Sequence, residues 1–132
     1  MMKILVTDGM DRNAINNLVN EGFEVEEKFY EEEVLKEKIK EVDVIVVRSA
    51  TKLRKNIIDE ALETGRLKLI IRGGVGLDNI DVDYAETKGI MVRNTPGAST
   101  NAVAELVLCE MLVLARNVKI ANITMVSGTR KT

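Results

Sequence analysis

Short β-branched runs alternate with amphipathic stretches along most of the chain. KILVTD (3–8) leads into RNAINNLVNEG, where Ala14, Ile15, Leu18 and Val19 recur at helical spacing, so the pattern predicts a strand and then a helix. FEVEEK (23–28) is polar and alternating, as expected of an edge strand. EEEVLKEKIK carries acids at its start and lysines towards its end, which suits the helix macrodipole. VDVIVV (42–47) is an apolar run of the kind found in central parallel strands. A helix on Ile57, Ile58, Ala61 and Leu62 follows, then the strand LKLII, a short helix in DVDYAETKG and the strand IMVRN. Gly22, Gly65 and Gly89 each stand between a helical stretch and the next strand, where a left-handed cap turns the chain back. Repeated strand–helix units with right-handed crossovers require a parallel sheet covered on both faces. The expectation is an α/β fold with five parallel strands in the flavodoxin-like order 2-1-3-4-5.

The last apolar segment departs from this pattern. In AVAELVLCEMLVLA (102–115) only Glu105 and Glu110 interrupt the apolar positions, so the predicted helix lacks the single stripe of a surface helix. It is too short and too charged to span a membrane. Burial on more than one side is expected, against this domain and against either something this chain does not contain or a second copy, the latter giving a homodimer through 102–115. RNVKIANITMVSGTRKT has no clear period and reads as helix end and tail. The organisation expected is a flavodoxin-like domain over 1–98, an interface helix over 99–117 and a tail over 118–132.

Composition narrows the function. The 132 residues are 45% hydrophobic and 30% charged, the balance of one folded domain. Lys plus Arg number 19 against 21 acids, a formal charge of -2, which gives no global attraction to nucleic acid or an anionic membrane. Cys109 is the only cysteine and is expected to pack in a core rather than act as a nucleophile. The opening MMKILVTDGM holds too short an apolar run for a signal peptide, which points to the cytoplasm. Histidine is absent, removing the usual general base near neutral pH and the commonest metal ligand. Neither a metal site nor a His-based triad is expected.

Any anion site must therefore be local, and the candidate is LIIRGGVGLDNID (69–81). A dinucleotide fingerprint needs a third glycine where Asn79 stands, and an acid about 20 residues on, where Asn94 stands. Asp78, Asp81 and Asp83 would also repel a phosphate at the following helix start. No Walker loop occurs. What remains is a turn whose backbone N–H groups can converge on a carboxylate. In the expected sheet, Arg48 and Arg72 end adjacent strands about 4.8 Å apart, so both guanidinium groups could reach one cleft, with Lys52 nearby. Such a cluster suits a small polyanion such as a phosphorylated carboxylic acid. A plainer alternative, that these arginines pair with neighbouring acids, stays open on spacing alone. In NTPGAST (94–100), Pro96 fixes a turn, Ser99 or Thr100 can cap the long helix, and Asn94 and Thr95 face the same rim. Asp8 ends the first strand, but a phosphorylated receiver needs an acidic cluster and a lysine across the strand ends, and the next strand supplies Arg48 instead.

Together RSATK, RGGVGLDNID and NTPGASTNAVAELVLCEMLVLAR resemble the D-isomer-specific 2-hydroxyacid dehydrogenases, above all their phosphoglycerate-oxidising branch in serine biosynthesis. The resemblance spans nearly the whole chain and matches the amino-terminal substrate domain with its crossing helix. It implies that Gly74, Val75 and Gly76 offer amides to the carboxylate of a small anionic 2-hydroxy acid, and that Arg48, Arg72 and Lys52 meet its phosphate. Asn94, Thr100 and Val103 would lie on the cofactor side. NAD is the cofactor implied for the full-length family enzyme, with none expected to bind tightly to this chain alone. The family's dinucleotide glycine motif and its catalytic arginine, glutamate and histidine have no counterpart here, so the chain alone is expected to be catalytically silent. A free-standing anion-binding or regulatory module, and one subunit of a split dehydrogenase, are the other readings.

Overall fold

The structure is a computed structural model that describes residues 1–128. Two compact units divide it, Met1–Pro96 and Gly97–Thr132. The first holds strands β1 (Lys3–Val6), β2 (Glu24–Glu27), β3 (Val44–Val47), β4 (Leu69–Arg72) and β5 (Met91–Asn94). Its helices are α1 (Arg12–Asn20), α2 (Glu32–Lys38) with a 3-10 turn at Ile39–Glu41, α3 (Lys55–Thr64) and α4 (Val82–Thr87). All four strand pairings are parallel and the order is β2-β1-β3-β4-β5, as the alternation of runs predicted.

Side chains of a strand alternate between faces, and the core divides accordingly. Leu5, Ile45, Val47, Ile70 and Val92 point to one face, where they meet Leu35 of α2, Ile57, Ile58 and Ala61 of α3, and Ala85 of α4. On the other face Ile4, Val6 and Val44 pack with Leu18 of α1, Val46, Leu69 and Ile71. Ile15 of α1 is buried, but Val19, expected on the same stripe, is exposed. Asp11 caps α1, its Oδ1 accepting from the amides of Asn13 at 3.0 Å and Ala14 at 3.2 Å. Gly22, Gly65 and Gly89 have φ of +90°, +61° and +82°, the left-handed turns anticipated between helix and strand.

The second unit is helical. Helix α5 (Thr100–Ala115) covers the apolar run, and Ser99 precedes it without the side-chain capping bond expected of it or Thr100. The stretch that showed no period is α6 over Val118–Ser127, set off from α5 by Asn117 at φ +51°. Asn tolerates this left-handed conformation better than most residues. Positions 129–132 of the expected tail lie outside the described residues. Neither α5 nor α6 contains a buried residue. Cys109, expected in a core, is exposed, because no residue of α5 is buried among the described residues. No helix among the described residues is long and apolar enough to cross a membrane.

Candidate functional site

The carboxyl ends of β1, β3, β4 and β5 open onto one rim, where a cavity of about 590 Å³ lies between Gly9, Met10, Asp11, Val46, Arg48, Ile71, Gly73 and Thr95. In open α/β sheets this is the end at which ligands bind. Val46 and Ile71 supply an apolar floor, and Arg48 supplies the positive charge.

Arg48 and Arg72 do not converge as their strand ends suggested. Val47 and Arg72 are register partners and therefore share a face, so Arg48, one residue further on, takes the other. Arg48 lines the cavity and its Cγ passes 3.5 Å from the point a Cβ on Gly73 would occupy. Arg72 does not line it. Its guanidinium is folded against Gly74, with Nη1 filling the space where a Cβ on that glycine would stand. Gly74 also has φ +151°, so both the space and the backbone there call for glycine. Arg72 Nε is buried without a hydrogen-bond partner. Lys52 lies away from this cavity, on a smaller one of about 150 Å³ with Tyr30, Glu31 and Glu32. Adjacent strand tips fixed how near these cations stand, whereas alternation and loop direction decided which way they face.

The glycine turn is partly occupied by its own neighbours. Gly73 N donates to Val47 O at 2.8 Å and Gly74 N donates to Thr95 Oγ1 at 2.8 Å. Thr95 N returns a bond to Gly74 O at 3.0 Å, and Asn94 Nδ2 donates to Val75 O at 2.8 Å. The Gly74 amide, expected to be open to a carboxylate, is thus engaged by a side chain from the next strand end. The amides of Val75 and Gly76 donate to no acceptor among the described residues.

The cations sort by partner. In Met1–Pro96, Lys3, Arg12, Lys36, Lys38, Lys40, Arg54, Lys55, Arg66 and Arg93 each reach a carboxylate. Lys68 donates to the Gly65 carbonyl, and Lys28 and Lys88 stand over tyrosine rings. Arg48, Lys52 and Arg72 are left, and no acid pairs with any of them among the described residues. Pairing with neighbouring acids, the plainer alternative for both arginines, is therefore not what the structure contains. An unpaired guanidinium such as that of Arg48, at the carboxyl end of a parallel sheet, has its donors free for an anion.

A profile of the D-isomer specific 2-hydroxyacid dehydrogenase catalytic domain matches residues 4–131. The chain belongs to this family. Among relatives of the chain, D-3-phosphoglycerate dehydrogenase of Methanocaldococcus jannaschii is 48% identical over 129 residues, 97% of this chain and 24% of that protein. Hydroxypyruvate reductase of Thermotoga maritima is 47% identical over 128 residues, 96% of this chain and 40% of its own length. The chain thus spans between a quarter and two fifths of these curated relatives. The structure of NAD+-bound 3-phosphoglycerate dehydrogenase from Entamoeba histolytica aligns with a TM-score of 0.68 at 36% identity, over 85% of this chain and 38% of that one.

Sequence reasoning missed the polar residues that hold the 48–51 turn. Asp8 Oδ2 accepts from the amides of Arg48 at 2.7 Å and Thr51 at 3.0 Å, while Oδ1 accepts from the Thr51 hydroxyl at 2.6 Å. Burial pushes the Asp8 carboxyl up, but the Thr51 hydroxyl and amide and the Arg48 amide outweigh it, so it titrates below the ordinary aspartate value. Asn79 is buried, and its Nδ2 donates to the carbonyls of Arg48 and Thr51, both at 2.7 Å. An acid closing the first strand was the available signal for Asp8. For Asn79 there was only its place in a glycine-rich turn. Of the remaining predicted positions, Asn94 ends β5 beside the glycine turn, and Thr100 and Val103 are exposed on the first turn of α5.

Proposed function

We propose that this chain supplies the substrate-recognition part of a D-3-phosphoglycerate dehydrogenase-like oxidoreductase of serine biosynthesis, acting in the cytoplasm. The observation that carries the reading is the unpaired Arg48 on a strand-end cavity next to a turn with open amides. In this proposal Arg48 meets the phosphate or carboxylate of a small 2-hydroxy acid, and Val75 and Gly76 donate to its carboxylate. Gly74 joins them once Thr95 releases its amide. Arg72 adds charge from beneath the turn, and Lys52, on its separate cavity, contributes least. NAD, when bound, accepts the hydride. The share of this chain in holding it falls to Asn94, whose side-chain oxygen is not used by the turn, with Thr100 and Val103 on α5. Since the chain has no histidine, no imidazole of its own takes the hydroxyl proton, and it is silent as a dehydrogenase by itself.

The test is a titration with 3-phosphoglycerate. Binding is expected to be weak and to fall as salt rises, because exposed cations are screened. An Arg48→Ala, Arg72→Ala double variant is expected to lose about tenfold or more in affinity, and Lys52→Ala much less. Equal binding by the double variant and the wild type rejects the assignment. An assay of the full reading frame with NAD and 3-phosphoglycerate, run beside this chain, tests the parent activity.

A second proposal concerns α5. Val103, Leu106, Val107, Leu108, Met111 and Leu112 are all exposed on one helix. That much continuous apolar surface favours association of two copies through 102–115.

A further inference from the structure

The turn that carries Arg48 is gripped from both sides by side chains distant in sequence. At its two ends, Arg48 and Thr51 send their N–H groups to one carboxylate, Asp8 at the end of β1. The carbonyls of the same two residues receive both hydrogens of one amide, Asn79 of the glycine turn. Thr51, itself buried, closes the arrangement by donating to Asp8 Oδ1, and it stands 2.8 Å from the Thr7 hydroxyl. Immediately beyond, Leu53 N donates to Asn79 O at 2.9 Å and Asp81 N to Leu53 O at 3.0 Å, which stitches the two turns together. Ser49 and Ala50, between the clamped residues, are exposed and pack into no core. Without the clamp the backbone of Arg48 would be set by the strand behind it alone. A guanidinium on a long flexible stem recognises an anion well only when its base is fixed.

We propose that Asp8 and Asn79 are positioning residues, which hold the 48–51 turn so that Arg48 stands at the cavity and ties its placement to the glycine turn. This rests on the reading that Arg48 meets the anion. The partition of atoms supports it. A carboxylate accepts from several donors at once, and a primary amide has two hydrogens for two carbonyls. The Asn79 role cannot pass to an acid: a carboxylate at position 79 would face two carbonyl oxygens with no hydrogen to give. Asp8 is ionised at neutral pH, which leaves both of its oxygens free to accept, since its carboxyl titrates below the ordinary aspartate range.

The test is a double-mutant cycle on the whole chain, read by NMR titration with 3-phosphoglycerate. Asp8→Ala is expected to lower affinity about tenfold in the wild-type background and less than about twofold in an Arg48→Ala background. Asp8→Asn, which can keep one oxygen towards the amides and turn its NH2 to Thr51 Oγ1, is expected to retain most of the binding. It also serves if Asp8→Ala fails to fold. Loss of equal size in both backgrounds would overturn the proposal, because Asp8 would then act on the fold and not through Arg48. Hydrogen exchange in the same samples needs no ligand. The amides of Arg48 and Thr51 are expected to exchange faster in Asp8→Ala, with Ile45 and Ile70 unchanged, and unaltered exchange at 48 and 51 would equally overturn it. Faster exchange at 48 and 51 in a chain that never binds 3-phosphoglycerate would keep the clamp and remove the functional reading beneath it.

Discussion

In the sheet unit Ile45, Ile58 and Ile70 have no exposed surface, whereas on α5 Leu106, Leu108, Met111 and Leu112 remain between 56% and 62% exposed. Both regions are rich in aliphatic side chains, so hydrophobicity does not separate them. Phase does. In α3, Ile57, Ile58 and Ala61 fall on one stripe, which a sheet face can cover completely. In α5 the apolar residues run around the helix, and no single neighbour can cover them all. The lesson is that an apolar stripe selects a partner within the fold, and an apolar cylinder calls for surfaces on several sides at once.

The sharpest way to break this comparison is to truncate one residue from each region. Ile70→Ala removes a fully buried side chain from β4 and is expected to cost about 2–5 kcal/mol of unfolding free energy. Leu112→Ala in α5 is expected to cost less than about 0.5 kcal/mol when the chain is dilute. Urea denaturation of both variants decides it, and equal losses would erase the distinction between the two regions.

Gly74→Ala probes the sheet unit where function and packing meet. The new methyl would displace the Arg72 guanidinium and sit at φ +151°, so a loss of about 1–3 kcal/mol is expected, together with weaker anion binding. Unchanged stability would mean that Arg72 leaves the turn freely. On the helical side, Leu108→Glu with Leu112→Glu is expected to weaken self-association about tenfold or more, read by sedimentation velocity over a concentration series. A wild-type chain that stays monomeric at the highest concentration removes the dimer from the account.

The smallest effect concerns pH. The folded pKa of Asp8 lies below its ordinary value of 3.8, so the stability it contributes is complete above that value and is lost as pH falls through the lower folded one. The stability gap between wild type and Asp8→Asn should therefore narrow in acid below about pH 4. A gap that stays constant through that range would show that the carboxylate charge contributes nothing.

Legibility in the sequence tracked the range of the interactions involved. Strand and helix positions, the edge character of β2, the central place of β3 and the left-handed glycines were all readable, because each depends on periodicity or on a residue's own backbone preference. Helix α6 was not readable, since Val118–Ser127 lacks a stripe, and the burial of Cys109 was misjudged for the same reason in α5. At the site, Arg48 and the glycine turn were found from strand ends and motif. Thr95 was placed on the rim, but its hold on the Gly74 amide joins residues 21 positions apart and leaves no local trace.

Local chemistry in the chain was sufficient to determine that a parallel sheet would form, in which order its strands would lie, and that positive charge and glycine amides would gather at its carboxyl end. Those outcomes follow from the side-chain period, the handedness of crossovers and the conformational freedom of glycine. Only the folded arrangement decided that Arg48 faces the cavity while Arg72 turns under Gly74, and that Asp8 and Asn79 grip the turn between them. Register sets which residues share a face, and hydrogen bonds across 28 to 43 positions of sequence set which polar groups are spent. Neither exists until the strands have paired.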